Sequence, residues 1–390
     1  MSTGIIVFIR NLLIAFSGIA IISRSVKFLP EQESTFIILI MIMINAQNSL
    51  YEGLFITHTM SLNEKTSKYV LKKQLPMLFF TSILFSLITI TYSNLIIKNA
   101  INYTDSFLLF FCYIINLVSL GITNIFCSNK KYSFFFLLDI IFIIITIITI
   151  LLIPQKETIL SALFFRVIGS AVGGLYFYIT YKINTDFQSA KVDLYSINFF
   201  SGTLLSFIRD TLLPLVIGWL AGTSTLVSLR VFNICYSAPG LIANAMNKIM
   251  IRYARKIGGF QLIKNKYLIF LYLLSICYFI FWVFGGSPLF HYLFGSNTLI
   301  EINIFVISLS LFCLFWPLGQ LAISSAIYYG LSKTFLFLSI LWTLISFLSV
   351  FILIYSDFSL YMFYFSLTQV VNIYIIFYVN RKSHEKNNFN

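Results

Sequence analysis

The chain has 390 residues, of which 59% are hydrophobic and only 10% are charged. A soluble domain of this length needs about 25% charged residues to cover its surface. The composition therefore excludes a soluble globular protein and predicts a surface that mostly faces lipid. The formal net charge is +13, but the polar loops are short and lack interleaved aromatic residues, which argues against nucleic acid as a partner.

Apolar segments long enough to cross a bilayer recur along the whole chain. A spanning helix needs about 20 mainly apolar residues, and the apolar runs here are continuous, which favours helices over the alternating strands of a β-barrel. The predicted fold class is all-α: a polytopic integral membrane protein with about 12 transmembrane helices. The predicted spans are residues 4–23, 35–57, 77–97, 105–125, 134–153, 159–181, 195–220, 226–250, 267–286, 301–327, 334–354 and 359–380.

The basic residues are unevenly distributed between alternate loops. With a cytoplasmic N-terminus, the cytoplasmic loops hold seventeen Lys and Arg residues, whereas the opposite loops hold only Arg24, Lys27, Lys98 and Lys156. This asymmetry is a strong positive-inside signal. We expect both termini to be cytoplasmic, in agreement with an even number of spans.

A polar loop at the midpoint of the chain separates six predicted spans from six. We predict an N-terminal six-helix lobe over residues 1–181, a cytoplasmic inter-lobe loop over 182–194, a C-terminal six-helix lobe over 195–380 and a polar cytoplasmic tail over 381–390. This organisation is common among transporters, in which the substrate site lies between repeats near the midplane of the membrane.

Ionisable residues inside the spans are candidates for function, because they are costly in lipid and usually face a cavity or a partner. The basic residues are Arg10, Arg166, Arg209, Arg230 and Lys248, and the acidic residues are Glu52, Asp139 and Asp210. Five cations against three acids make the interior positive, which suits a phosphate or pyrophosphate group. An exporter of organic cations is expected to show the opposite balance.

Arg209 lies near the middle of its span, about 15 Å from either interface, which is too deep for snorkelling. Pro214 follows and predicts a kink. Because Arg209 and Asp210 are adjacent, helix periodicity directs them to different faces and predicts that they do not pair. Asp210 is expected to meet Arg230 on the next helix instead. We interpret Arg209 and Arg230 as anion-binding residues; the alternative is a structural ion pair that joins two helices.

Two other cations lie nearer the membrane surfaces. Arg166 is about two turns from the outer face and Arg10 fewer than two turns from the cytoplasmic edge, so each either binds substrate or snorkels. Asn45, Asn48 and Glu52 follow an i, i+3, i+7 spacing that places them on one polar helix face, where Glu52 is within reach of Arg10.

The predicted site therefore has three parts. The cavity cations are Arg209, Arg230, Arg166 and Arg10. The acids assigned to ion coupling or ion pairing are Asp210, Glu52 and Asp139, the last at the same inner depth as Arg10. The polar cavity face contains Asn45 and Asn48. We predict no catalytic residues, no metal site and no cofactor, and the sequence has no GxxxxGK[ST] motif for ATP.

Four short segments carry a family likeness: residues 27–31 (KFLPE), 217–222 (IGWLAG), 252–255 (RYAR) and 330–333 (GLSK). They resemble segments of bacterial polysaccharide flippases of the O-antigen (Wzx) type. The first segment resembles the turn after the first helix of that family, and the second resembles the end of its seventh helix. The third resembles the end of the eighth helix, and the fourth resembles the turn after the tenth. These flippases belong to the multidrug/oligosaccharidyl-lipid/polysaccharide exporter superfamily. The layout is similar over most of the chain.

The sequence departs from the family pattern at two positions. Leu213 stands where the family often has an acid, although Asp210 lies three residues earlier on a nearly equivalent face. Ile251 stands where a proline is often found.

The resemblance implies a flippase of the bacterial inner (cytoplasmic) membrane. It would move an oligosaccharide repeat unit of O-antigen or capsule, linked to polyprenyl pyrophosphate, from the cytoplasmic to the periplasmic leaflet by alternating access. The implied partners are this lipid-linked oligosaccharide, membrane lipids and other polysaccharide assembly proteins.

Two other functions remain open on the sequence. The first is an ion-coupled drug or metabolite antiporter of the same superfamily, against which the positive interior argues. The second is an enzyme, namely a membrane-embedded polysaccharide polymerase or ligase, which typically needs a sizeable outer loop with catalytic groups. The predicted outer loops are short, so we expect that the chain is not an enzyme.

Overall fold

A computed structural model describes residues 3–51, 79–97, 105–116, 133–180, 194–257, 259–295 and 298–387. Within these ranges the secondary structure is helical and contains no strand. Contacts divide the chain into two compact units, Met1–Leu212 and Leu213–Asn390.

In the first unit, each helix corresponds to one predicted span. The described helices are α1 (Thr3–Phe28), α2 (Glu31–Tyr51), α3 (Phe79–Ile97), α4 (Asp105–Asn116), α5 (Ser133–Leu152), α6 (Lys156–Thr180) and α7 (Leu194–Phe207). A π-helical turn, Ser93–Ile97, ends α3, and a second one, Ile208–Leu212, follows α7.

The second unit continues the same pattern. Its described helices are α8 (Leu213–Ala221), α9 (Thr223–Ile257), α10 (Gln261–Phe294), α11 (Ile302–Tyr328), α12 (Ser332–Tyr355), α13 (Phe358–Leu367) and α14 (Val371–Asn387), with a 3-10 turn, Thr368–Val370, between the last two. In the described part of the chain, six helices are long and apolar enough to cross a membrane by length and composition.

The predicted fold class is confirmed: the chain is an all-α, multi-pass membrane protein. All twelve predicted spans contain a described helix, and α7, its π turn and α8 together make up the seventh. The unit boundary at Leu212 falls inside that span. The predicted inter-lobe loop 182–194 lies outside the described residues except for its last residue, so the predicted lobe boundaries stay a prediction.

The core of the first unit joins four helices through aliphatic side chains. Its buried members are Ile21, Ile37, Met41, Ile150, Ile159, Ala162 and Leu163. On α6, Gly169 has no side chain, and a β-carbon there would overlap the ring of Phe142 on α5. The absence of that carbon lets α5 and α6 approach closely. Small residues commonly allow such a close approach between membrane helices.

The second unit has an aromatic core. The fully buried ring of Phe232 on α9 lies 6.3 Å from the ring of Phe305, 6.2 Å from Phe358, 6.0 Å from Tyr361 and 5.8 Å from Phe365, measured between centroids. All four pairs are edge-to-face, the geometry that the charge distribution of aromatic rings favours. The cluster ties α9 to α11 and α13.

One helix of the second unit is broken near its end. α10 loses helical geometry at Gly286, where φ is 41° and ψ is −140°, and Pro288 follows. The segment before the break is about 39 Å long at the usual helical rise, enough to cross a hydrocarbon layer of about 30 Å. The last two turns then bring Phe290 and Phe294 into the buried core.

We expect Phe232→Ala to lower the free energy of unfolding by about 3–5 kcal/mol, because it removes the ring on which four others pack and leaves a cavity. The measurement is the midpoint of thermal unfolding of the purified protein in detergent.

The matched control is Phe284→Ala, since the Phe284 side chain is 86% exposed in the structure. We expect this variant to unfold close to the wild-type temperature. Equal losses in both variants would contradict the assignment of Phe232 to the core.

Candidate functional site

The seventh predicted span contains an irregular turn at its centre. α7 ends at Phe207, the π turn covers Ile208–Leu212, and α8 begins at Leu213. Pro214 has no backbone N–H and cannot complete the hydrogen-bond ladder of the preceding turn, which accounts for the irregularity. π turns inside helices occur frequently at functional sites, and this one carries Arg209 and Asp210.

Arg209 and Asp210 form a bidentate ion pair. The Nε of Arg209 donates to Oδ1 of Asp210 at 2.6 Å, and Nη2 donates to Oδ2 at 2.9 Å. The prediction that these neighbours do not pair is therefore wrong. It assumed regular α-helical spacing, whereas the π turn changes the angle between successive side chains, and the long arginine stem lets the guanidinium fold back onto the carboxylate.

This pair is partly accessible although it lies near the middle of the span Ser201–Ala221. The side chain of Arg209 is 27% exposed and that of Asp210 is 51% exposed. The turn packs beside α2, on which Asn45 is exposed between the buried residues Ile44 and Ala46. Because charge in contact with hydrocarbon is costly, we expect the accessible edge of the pair to face a polar cavity.

A second ion pair joins α1 to α5. The Nε of Arg10 donates to a carboxylate oxygen of Asp139, whose side chain is 1% exposed, while that of Arg10 is 13% exposed. The sequence suggested Glu52 as a partner of Arg10. The structure assigns Asp139 because α5 packs along α1, and Glu52 lies outside the described residues.

The other predicted site residues are described only in part. Arg230 is half-buried on α9, and the prediction that Asp210 meets it joins residues of different units and stays a prediction. Arg166 lies on α6, Asn48 on α2 and Lys248 on α9, but their side chains are outside the described set.

The sequence analysis missed an uncharged polar contact in the first unit. Asn116 of α4 donates its Nδ2 to Oε1 of Gln47 on α2 at 3.0 Å, and both side chains are buried. Nearby in sequence, the hydroxyls of Thr89 and Tyr113 lie 2.8 Å apart and tie α3 to α4. The signal for this contact in the sequence is an amide inside each of two predicted spans.

The described side chains contain no group of three or more His, Cys, Asp or Glu residues that could hold a metal ion. The site consists of ion pairs and amides, which can bind anions, cations or hydroxyl groups through hydrogen bonds.

The sequence matches no protein-family model and no curated protein. Its fold, in contrast, matches solved membrane transporters over nearly the whole chain. A multidrug resistance MATE family transporter of the MOP superfamily, in its outward-facing conformation, is 12% identical, with a TM-score of 0.69, and the match covers 99% of this chain and 96% of that one.

Two further solved structures share the fold. One is a MOP superfamily transporter from Pyrococcus furiosus, for which the reverse polarity of the binding pocket suggests a different function. It is 12% identical, with a TM-score of 0.65, and the match covers 98% of this chain and 95% of that one. The lipid II flippase MurJ, in an inward closed conformation, is 17% identical, with a TM-score of 0.63 and coverage of 95% and 87%. The chain therefore has the fold of MOP superfamily transporters.

We expect Asp139→Asn to lower the free energy of unfolding by about 3 kcal/mol, because it leaves the partly buried Arg10 without its counter-charge. The double variant Arg10→Met/Asp139→Leu should recover part of this loss, since it removes both charges. Thermal unfolding in detergent measures both effects.

Glu157→Gln, at an exposed position of the same unit, serves as the control and should leave the unfolding temperature unchanged. If Asp139→Asn behaved like this control, the ion pair would contribute nothing to stability.

Proposed function

We propose that the protein is a flippase that moves an oligosaccharide repeat unit on polyprenyl pyrophosphate across the bacterial inner membrane, from the cytoplasmic to the periplasmic leaflet. The observation that carries the proposal is the Arg209–Asp210 pair, held on a π turn at the middle of a membrane span and partly accessible. The pyrophosphate is the part of the substrate that this arginine would contact.

Arg209 keeps hydrogen-bonding capacity while it is paired. A guanidinium has five N–H groups in a planar fork, and Asp210 accepts from one on Nε and one on Nη2. The remaining three N–H groups, on the two Nη atoms, are available to phosphate oxygens, which arginine binds through charge-assisted hydrogen bonds. Asp210 acts in this proposal as a positioning residue that fixes the orientation of the guanidinium.

The excess of positive charge in the spans supports an anionic substrate. Arg10 and Arg209 are each neutralised by an acid. The predicted windows contain three further cations, Arg166, Arg230 and Lys248, and one further acid, Glu52. We propose Arg230 and Arg166 as additional contacts for the pyrophosphate, and Asn45 and Asn48 as contacts for sugar hydroxyls. Glu52 and Asp139 stay candidates for ion coupling.

The fold comparison is compatible with a flippase, because a protein named as a lipid II flippase shares this fold. Lipid-linked oligosaccharides are consistent with the resemblance of the four short segments to polysaccharide flippases. The three solved structures described above are named as transporters and a flippase.

An ion-coupled antiporter for drugs or metabolites is the second candidate. The observation that favours it is the greater exposure of Asp210 compared with Arg209, which suits a carboxylate that binds a proton or an organic cation. In that mechanism Asp210 would be the contact residue and Arg209 would only modulate its charge.

The test is translocation of a labelled polyprenyl-pyrophosphate oligosaccharide in liposomes that contain the purified protein. We expect the wild type to move the label and Arg209→Gln to slow the movement by roughly tenfold to a hundredfold, since a charge-assisted contact to phosphate is lost. Asp210→Asn should have a smaller effect on transport, because the arginine keeps the charge that binds phosphate, although the variant removes its counter-charge and its orienting partner.

The matched control is Arg24→Gln, the same chemical change near the end of α1, which should transport normally. A rate that Arg209→Gln leaves unchanged would make Arg209 structural. Export of a small cationic dye that Asp210→Asn abolishes, with no movement of lipid-linked glycans, would establish the antiporter instead.

A further inference from the structure

Three helix ends of the second unit meet in a basic surface, here called the basic end and defined by Lys264, Lys333, Arg381 and Lys382. The Nζ of Lys264, at the start of α10, donates to Oδ1 of Asn380 on α14 at 2.7 Å. This contact places the start of α10 beside the final turns of α14.

The start of α12 lies at the same end. The rings of Phe337 on α12 and Tyr378 on α14 are 5.5 Å apart. Lys333 precedes Phe337 by four residues, and Arg381 follows Tyr378 by three, so each cation lies on the same helix face as its aromatic neighbour, one turn nearer the helix end. Lys333 and Arg381 therefore lie above the ring pair on adjacent helices.

Basic residues greatly outnumber acidic residues in the segments that form this end. Residues 261–266, 332–335 and 380–387 together contain six Lys or Arg residues and a single acid, Glu385. The outer end of the first unit is different, because the basic residues Arg24, Lys27 and Lys156 are matched there by three acids. Those acids are Glu31, Glu33 and Glu157.

Aromatic side chains beside the basic end suit the depth of lipid headgroups. Phe260 stacks on Tyr328 with a centroid distance of 4.9 Å, and Gln261 donates to the hydroxyl of Tyr329 at 3.3 Å. Tyrosines gather at membrane–water interfaces, where the ring contacts acyl chains and the hydroxyl contacts water.

Lys264 is pre-positioned for an anion. Its ammonium group has three N–H donors, and the bond to Asn380 fixes one and orients the other two. Basic residues at the membrane surface attract anionic lipid headgroups. Four of them around three helix ends provide several donors for one phosphate group.

We propose that the basic end binds the phosphate headgroup of an anionic phospholipid from the adjacent leaflet, with Lys264, Lys333 and Arg381 as its main contacts. The bound lipid stabilises the packing of α10, α12 and α14 at this end. The site is independent of the proposed substrate site, and its test does not use transport activity.

The experiment is native mass spectrometry of the detergent-purified protein titrated with phosphatidylglycerol or with phosphatidylcholine. We expect the wild type to retain phosphatidylglycerol in preference to phosphatidylcholine. The variant Lys333→Gln/Arg381→Gln leaves the Lys264–Asn380 contact intact and should bind phosphatidylglycerol roughly thirtyfold more weakly. Adding Lys264→Gln should weaken it further.

The matched control, Arg24→Gln/Lys27→Gln/Lys156→Gln, removes three charges from the other end of the other unit and should bind phosphatidylglycerol like the wild type. Thermal unfolding of each variant in the absence of lipid checks that it is folded. Three results would overturn the proposal: equal loss in the control, equal retention of the two lipids, or displacement of phosphatidylglycerol by micromolar inorganic pyrophosphate, which would assign the site to a free anion.

Discussion

An ionised side chain in a hydrocarbon layer needs a partner of opposite charge, and the placement of this protein's polar groups follows from that need. Arg10 and Asp139 satisfy it between two helices, and the pair holds α1 against α5. Arg209 and Asp210 satisfy it within one turn of one helix. The two solutions have different consequences, because the first fixes the packing of the unit whereas the second leaves neighbouring helices free of the pair.

A pair contained within one turn suits a site that must bind and release a ligand. In the function proposed above, binding a phosphate to Arg209 would require no separation of helices, since the guanidinium keeps N–H groups that Asp210 does not use. When the ligand left, the carboxylate would still balance the charge. The empty site therefore avoids the cost of an unpaired cation at mid-membrane, which a carrier meets once in every transport cycle.

Hydropathy alone was enough to predict the helices, because each span has to be apolar over a length set by the bilayer. The ion pairs were harder to predict. Depth estimates placed Arg10, Glu52 and Asp139 at a similar level and suggested Glu52 as the partner of Arg10. The Arg10–Asp139 pair depends on the packing of α5 along α1, which depth alone does not give. The Arg209–Asp210 pair was excluded on regular helix geometry, but the π turn and the long arginine stem bring the two groups together. The Gln47–Asn116 contact was missed because uncharged amides inside apolar windows are common and give no indication of their partners.

The break in α10 also bears on the sequences that this fold can tolerate. Gly286 adopts a positive φ that side chains with a β-carbon rarely adopt, while Pro288 prevents a regular ladder from forming across the break. A residue with a β-carbon at position 286 would strain this bend, and relief of that strain would move Phe290 and Phe294 out of the aromatic core. The absence of a β-carbon at this bend thus keeps two phenylalanines buried at one end of the second unit. Exposed, they would form an apolar surface that promotes aggregation.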